Sequence, residues 1–576
     1  MAETAGNSAL FAAARAARAG NSEEATAESM QRAFAPAANI DYASKRFMVV
    51  DAVQEMRSAM NATLSTFGVT KMDYAHRATE AIGMIKRGDY DVILADFDLG
   101  HGYDGLHLLE ELKLRNLLKP SAIFMVVTGE RRMRMVISAA ELAPDDYLLK
   151  PFTGEELKQR LDRVYRKKAE FDVLDAAMLK EDYFKALNEC NERIARRDPF
   201  TVDFLKMKGR IALTIGDHAL ARDTYQAVLG ARDIPWARMG LGKALFHLKD
   251  YAGAREIFEG LLAENNRIME AYDWLAKIHQ AEHELPEAQG VLARAVELSA
   301  ANVSRHKRLG EVAMKNGDFA TAVKSYQQTV GIAKYSFWRD AGDYASLAKA
   351  HLGAGDVMEA AKVAADVRRE FRHDGKAELL ATVMETQVAH KQGNDKRAIE
   401  LLGKARQQFA GIADEVPDHF SLELAEACYA LGEDEAAGEI VNKVIRNHHE
   451  NSAMLDRVTD MYAHIGRADL GQEMIERNAK AIVEINNEAV RMAQAGDLEG
   501  AVQKFIQAVN EMPANIQVML NAVNAMLAYV ARLGWHQGHM DMAQAYLDRV
   551  KSLEPASVKY LKLREAFNTT KRRFRT

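Results

Sequence analysis

Cysteine is almost absent: Cys190 and Cys428 are the only two in 576 residues. They lie 238 positions apart, which excludes a disulfide-stapled secreted framework and a four-cysteine zinc site. Proline is scarce, at 10 residues, and aromatic residues make up 7%. With abundant Ala, Leu, Glu and Lys, that composition leans towards helix. Positive charge is not in excess: Lys+Arg 76 against Asp+Glu 82 leaves a formal charge of −6, which excludes a global basic field for gathering nucleic acid or acidic lipid. No apolar run approaches the roughly 18 residues of a spanning helix, and the opening MAETAGNSALFAAARAARAG lacks a basic leader followed by a long apolar stretch. The expectation is a cytoplasmic protein with no membrane span and no DNA binding.

Three textures are present. Residues 1–44 are rich in Ala, Ser, Thr and Glu and read as a flexible arm. Between 45 and 167, short apolar runs alternate with helical stretches: RFMVV (46–50), a weak run near 69–74, DVILA (91–95), AIFMVVT (122–128) and DYLLK (146–150). Helices are expected near 53–67, 78–87, 105–116 and 131–142, and from about 154. Continuous apolar strands separated by amphipathic helices predict a five-stranded parallel sheet covered on both faces.

From 168 to 565 strand signals vanish and a period emerges. Gly242, Ala276 and Gly310 stand 34 residues apart, each followed twelve residues later by Ala254, Ala288 or Ala322. A bulky residue follows four further on, as in Tyr225, Phe258, Leu292, Tyr326 and Phe505. Small residues fit where two antiparallel helices cross, bulky ones fill the gap to the next pair, and pairs must stack because none buries its apolar face alone. About ten such units follow one another, with irregular spacing near 348 and 386, a poor unit near 462 and extra residues around Trp535 to Asp541. The last eleven residues, 566–576, form a basic tail ending KRRFRT, read as solvated.

Polar residues stand where the apolar strands end, which is where such sheets bind ligands. They are Asp51, Asp96, Thr128 and Lys150. Paired carboxylates suit Mg²⁺, a carboxylate can accept a phosphoryl group, and a hydroxyl and an ammonium can grip the phosphoryl oxygens.

The set VVDAVQEMR (49–57), DVILADFDLGHGYDG (91–105), VVTG (126–129) and YLLKPF (147–152) resembles a response-regulator receiver domain, and the helical region resembles a tetratricopeptide-repeat array. The first resemblance implies a flavodoxin-like fold over 45–167. It also implies Asp96 as phosphoacceptor, Asp51, Asp96 and the Asp98 carbonyl around Mg²⁺, Thr128 and Lys150 as phosphate readers, and Tyr147 as the switch aromatic. It implies a sensor histidine kinase or phosphotransfer protein as donor, and a cis peptide at Lys150-Pro151. The second resemblance implies a superhelical solenoid whose groove binds a protein partner. Receivers usually carry two adjacent acids after the first strand, whereas here Ala52 follows Asp51. A lost metal ligand weakens the site, since even an outer-shell partner is commonly worth about 10- to 100-fold. Asp98 and Glu55 are the nearby acids that could compensate.

The leading expectation is therefore a two-component response regulator, not an enzyme, whose output is protein binding by the repeats. Its receiver would act through homodimerisation or docking on the repeats. A constitutive scaffold with a phosphorylation-silent pseudo-receiver is the alternative. A haloacid-dehalogenase-type phosphohydrolase, which DFDLG resembles, is the alternative from another class, and it lacks a paired-acid metal motif after Lys150. GLGKAL (240–245) follows no strand and has Ala244 where a phosphate loop needs Ser or Thr, so Gly242 is read as a helix-crossing position. His448, His449, His536 and His539 have no companion cysteine or carboxylate cluster and are read as surface histidines. Thr153 and Glu156 form a capping box for the last receiver helix, which runs towards the first repeat.

Overall fold

The computed structural model describes residues 40–99, 105–115, 117–119, 121–129, 144–300, 302–334, 338–413, 415–555 and 557–574. The helix expected at 131–142, the loop residues 100–104 and the arm before 40 lie outside these residues.

Five strands, β1 Arg46–Val50, β2 Lys71–Ala75, β3 Val92–Ala95, β4 Ile123–Thr128 and β5 Asp146–Leu149, form one parallel sheet in the order β2-β1-β3-β4-β5. Their side chains alternate between two cores. Helices α1 (Gln54–Ser65), α2 (Ala78–Ile85) and α3 (Gly105–Leu114) flank the sheet, and Met48, Val50, Ile93, Phe124 and Val126 meet α2 and α3 on one face. Phe47, Val49, Leu94, Met125 and Val127 meet α1 and α4 (Gly154–Leu179) on the other. Burial of both faces is why the strands read as continuous apolar runs. Tyr42, within the stretch read as arm, is 3% exposed, packs beside Phe47 and donates to Asp162 Oδ1 at 2.5 Å. Tyr42 together with Ile40 seats residues 40–42 on the sheet, which a bulk compositional reading does not register.

Helix α4 starts with Thr153 Oγ1 accepting from the Glu156 amide and continues for 26 residues. Its first half buries Leu157, Leu161 and Val164 in the sheet domain, and its second half buries Phe171, Leu174 and Ala177 towards the repeats, with Phe171 stacked on Phe204 at 4.7 Å. No glycine or proline interrupts residues 155–179, so nothing breaks the helix at 167/168. One helix thus belongs to both domains.

Helices α5 (Tyr183–Ala195), α6 (Thr201–Ile215), α7 (His218–Ala231), α8 (Pro235–His247), α9 (Tyr251–Glu264), α10 (Met269–Ala281), α11 (Leu285–Leu298), α12 (Val303–Lys315) and α13 (Phe319–Ala333) complete the first of two compact units, which ends at Arg339. The small residues do what their spacing predicts: a Cβ on Gly209 or Gly240 would lie within 2.5 Å of the Tyr225 ring, and one on Gly242 would be 2.7 Å from Phe258. Tyr225 therefore fills both its own pair and the gap to the next. Asp217, Asp250 and Asp318 cap the second helices by accepting from the amide three residues on.

The second unit, from Asp340, holds α14 (Ala341–Gly353), α15 (Val357–Glu370), α16 (Gly375–Lys391), α17 (Asp395–Ile412), α18 (Asp418–Ala430), α19 (Asp434–Asn447), α20 (Ser452–His464), α21 (Ala468–Gln494), α22 (Leu498–Glu511), α23 (Ile516–Leu533), α24 (Gln537–Leu553) and α25 (Val558–Phe574). The poor unit near 462 has its cause in α21, 27 residues long, which runs through the place where a turn would separate two helices. Helix α23 is long and apolar enough to cross a membrane by length and composition, with a mean hydropathy of 1.3. Val518, Met519, Val523, Met526 and Val530 on it are nevertheless buried among its neighbours α22, α24 and α25.

Candidate functional site

In-register parallel pairing sets the strand ends side by side. Val50 lies opposite Ala95, Ala95 opposite Val126, and Thr128 opposite Leu149. The residues that follow, Asp51 and Asp96, therefore meet Thr128 and Lys150 at one carboxyl edge. β1 lies between β2 and β3, so the chain reverses its winding there and opens a crevice at the first and third strands.

Lys150 holds the site together. Its Nζ donates to Asp51 Oδ2 at 2.9 Å and, more closely still, to Asp96 Oδ2. The second oxygens are engaged by backbone: Asp51 Oδ1 accepts from the Val53 amide at 2.8 Å, and Asp96 Oδ1 accepts from the Asp98 amide at 3.0 Å. Asp51 and Thr128 are buried, at 6% and 2% exposed. Burial pushes the Asp96 carboxyl above its ordinary value although its bond to Lys150 pulls the other way, and the charge of Asp51 adds to the rise. Burial alone would lower the Lys150 ammonium, but its bonds to Asp96 and Asp51 outweigh that and raise it.

The remaining expected residues stand nearby. Tyr147 is half-buried against the core on the α2 and α3 side, Asp98 is exposed, and the Lys150-Pro151 peptide is cis. Ala52 and Glu55 are exposed at the start of α1. Among the described residues no group of three or more His, Cys, Asp or Glu gathers closely enough to hold a metal. An ion at the crevice would draw on the Asp51 and Asp96 carboxylates, the Asp98 carbonyl and water. An all-oxygen set suits Mg²⁺, so the residues fit the ion with one carboxylate fewer than usual.

Two residues escaped the sequence reading. Arg57 donates from Nη1 to the Asp51 carbonyl at 2.6 Å, bringing a guanidinium to the rim beside Ala52. Gly105 donates its amide to the Phe97 carbonyl, and a Cβ there would lie 2.2 Å from the Asp96 carbonyl oxygen. The Asp104-Gly105 pair ahead of a helix was the available signal for a close approach. Away from the sheet, His448 pairs with Asp418 at 2.6 Å, His449 meets Asn515, and His536 accepts from the His539 amide at 3.1 Å with the two rings tilted; His539 is 2% exposed, so it is a packed histidine and not the surface one expected. Gly242 lies under Phe258, as its helix-crossing role requires.

Comparison with known proteins agrees with this architecture. The family profile for the response regulator receiver domain matches residues 47–162, and that for the tetratricopeptide repeat matches 176–235 and 206–267. The chain thus carries a receiver domain followed by tetratricopeptide repeats. The chemotaxis protein CheY-3 of Vibrio cholerae serotype O1 is 29% identical over 122 residues, 21% of this chain and 92% of that protein. The chemotaxis protein CheY of Pseudomonas aeruginosa is 28% identical over 21% of this chain and 97% of its own length. Among solved structures, MamA protein aligns over 30% of this chain and 92% of its own, at 24% identity and a TM-score of 0.26.

Proposed function

We propose that this chain is a cytoplasmic two-component response regulator that accepts a phosphoryl group on Asp96 from a sensor histidine kinase or phosphotransfer protein. Its output is protein binding by the repeats rather than catalysis. The observation that carries the reading is the Lys150 ammonium spanning Asp51 and Asp96 at the carboxyl edge of the sheet.

In the transfer, an Asp96 carboxylate oxygen attacks phosphorus, the bond from phosphorus to the donor breaks, and the electron pair leaves with the donor. Lys150 then meets phosphoryl oxygens instead of the bare Asp96 carboxylate, and the Thr128 hydroxyl is the donor on the neighbouring strand. Asp51, Asp96 and the Asp98 carbonyl would hold Mg²⁺, which when bound screens the negative charge of the incoming group. With Ala52 in place of an acid, affinity for that ion is reduced by about 10-fold or more. Lys150 stands four residues before α4 begins, so any shift in its position is delivered to the helix that the receiver shares with the repeats.

Ala52 together with Arg57 favours one second reading, a scaffold with a silent receiver, because one metal carboxylate is missing and a guanidinium stands at the rim on the Asp51 carbonyl. Incubation with acetyl phosphate and Mg²⁺, read on a phosphate-affinity gel, separates the two. Modification of the wild type that Asp96→Asn abolishes supports the regulator. An unmodified wild type alongside a modified Ala52→Asp variant overturns it in favour of the scaffold.

A further inference from the structure

The first unit segregates its charge. Its first helices, α6, α8, α10 and α12, carry ten Lys and Arg against four Asp and Glu, whereas the second helices α7, α9, α11 and α13 carry four against six. Neighbouring first helices α6, α8 and α10 touch one another while the second helices come together less closely, so the basic side is the inner, narrower one. In the second unit the corresponding helices α14, α16, α18 and α20 carry four basic against eight acidic residues. The basic excess of α6, α8, α10 and α12, in which Lys208 and Arg305 are buried and the rest reach the surface to some degree, is therefore a local feature of a chain whose formal charge is −6.

The acids of those four helices are mostly engaged already. Asp203 pairs with Lys167 at 2.8 Å, Glu270 with Lys243 at 2.5 Å, and Asp273 with the buried Arg305 at 2.8 Å. Lys206 and Lys277 meet no carboxylate within 4.0 Å among the described residues. Lys206 lies 5.5 Å from the Trp236 ring and Lys277 3.9 Å from that of Trp274. Arg210, exposed, lies 3.7 Å from the sulfur of Met207 and within electrostatic reach of Asp175 on α4. Burial and the adjoining cations Arg210 and Lys167 hold Lys206 below its ordinary value, and burial with Arg308 does the same to Lys277. Burial is the larger cause in both, and the neighbouring cations add a positive potential that an anion would relieve.

We infer that the inner face of α6, α8, α10 and α12 binds an acidic, extended peptide segment of a partner protein, its carboxylates on Lys206, Arg210 and Lys277 and its apolar side chains on Trp236 and Trp274. Arg210, Lys243 and Lys277 each follow the small residue of their first helix, so the cations repeat once per pair. Packed helices lie about 8–10 Å apart and an extended chain rises about 3.3 Å per residue, so the acids of the segment recur about every third residue. Carboxylates standing between the cations favour a peptide of mixed character over the uninterrupted phosphates of nucleic acid. This rests on the reading of the repeats as a partner-binding array and names the chemistry of the partner.

The test is fluorescence anisotropy of the full-length chain with a fluorescein-labelled peptide bearing Glu at every third position between Leu, Phe and Ser. The same peptide with Gln for Glu and a short single-stranded DNA serve as comparison probes. The acidic peptide should bind at least about tenfold more tightly than the Gln peptide, lose that margin in Lys206→Glu/Arg210→Glu/Lys277→Glu, and weaken as salt is raised. Equal binding of the two peptides overturns the charge inference and leaves a peptide groove standing. Binding of neither overturns the groove reading with it, and tighter binding of the DNA overturns the peptide assignment. Trp274→Ala, which keeps every charge, should weaken the acidic peptide as well, and unchanged affinity there would remove the indole from the site.

Discussion

Lys150 is the residue on which the site turns, because two largely buried carboxylates depend on one ammonium. Their side chains are 9% and 16% exposed. Lys150→Met should lower stability by about 3 kcal/mol, since removing one partner of a buried pair leaves uncompensated charge. Urea unfolding measures this, and the additional change Asp96→Asn should restore part of the loss. Gly105→Ala should impair phosphoryl acceptance without touching a polar group, because its methyl has no room beside the Asp96 carbonyl. Acetyl phosphate labelling of that variant at wild-type rate would show that the loop yields freely. The four polar residues at the strand ends were legible because their types and order are local facts of the chain. Arg57 and Gly105 were not, since each acts on a backbone carbonyl, and which carbonyl a side chain or a missing Cβ meets depends on tertiary placement.

At the scale of elements, the repeat is a matter of what lies over each glycine. Tyr225→Ala should destabilise by about 3 to 5 kcal/mol, as it empties the space above both Gly209 and Gly240. Thermal or urea unfolding reads that loss directly. Within the second unit, Lys349 on α14 reaches Glu423 at 2.9 Å and Glu426 at 2.6 Å on α18, and Glu426 in turn accepts from His464 of α20 at 2.6 Å. Burial would raise Glu426, but the charge of Lys349 and the bond to His464 prevail and hold it down at about 2. The bond to Glu426 raises His464 above its ordinary value despite burial. That pairing therefore stabilises the fold fully below the unfolded histidine value and fades as pH rises through the higher folded one. The His464 side chain is more than half exposed, so the effect is screened to under about 1 kcal/mol. Melting temperature should fall slightly more between about pH 6 and pH 8 in the wild type than in His464→Gln, and identical pH dependence would dismiss the pair. The 34-residue period was readable from small and bulky residues alone. The Lys349 network was not, because its partners lie 74 and 77 residues away.

At the scale of the molecule, the receiver and the first repeats share α4. Lys168 near its middle donates to the Ala122 carbonyl and pairs with Asp145 at 3.0 Å, while the adjoining Lys167 pairs with Asp203 of α6 at 2.8 Å. Adjacent residues of one helix thus hold the sheet domain on one side and the inner repeat face on the other. The change of texture near 167 is real, from apolar strands to repeats, but a change of texture is not a break in a helix, and residues 155–179 contain no residue that would make one. A fragment starting at 168 therefore begins mid-helix, and by circular dichroism it should be less helical per residue and melt lower than one starting at 154. Hydrogen exchange of the full-length chain with and without beryllofluoride, a phosphoryl mimic, and with Asp96→Asn as reference, tests the coupling directly. Exchange should change at β5 and along α4 past Lys168 into α6, and should not change in Asp96→Asn. A change that stops at the crevice, or no change in the wild type, would contradict the coupling.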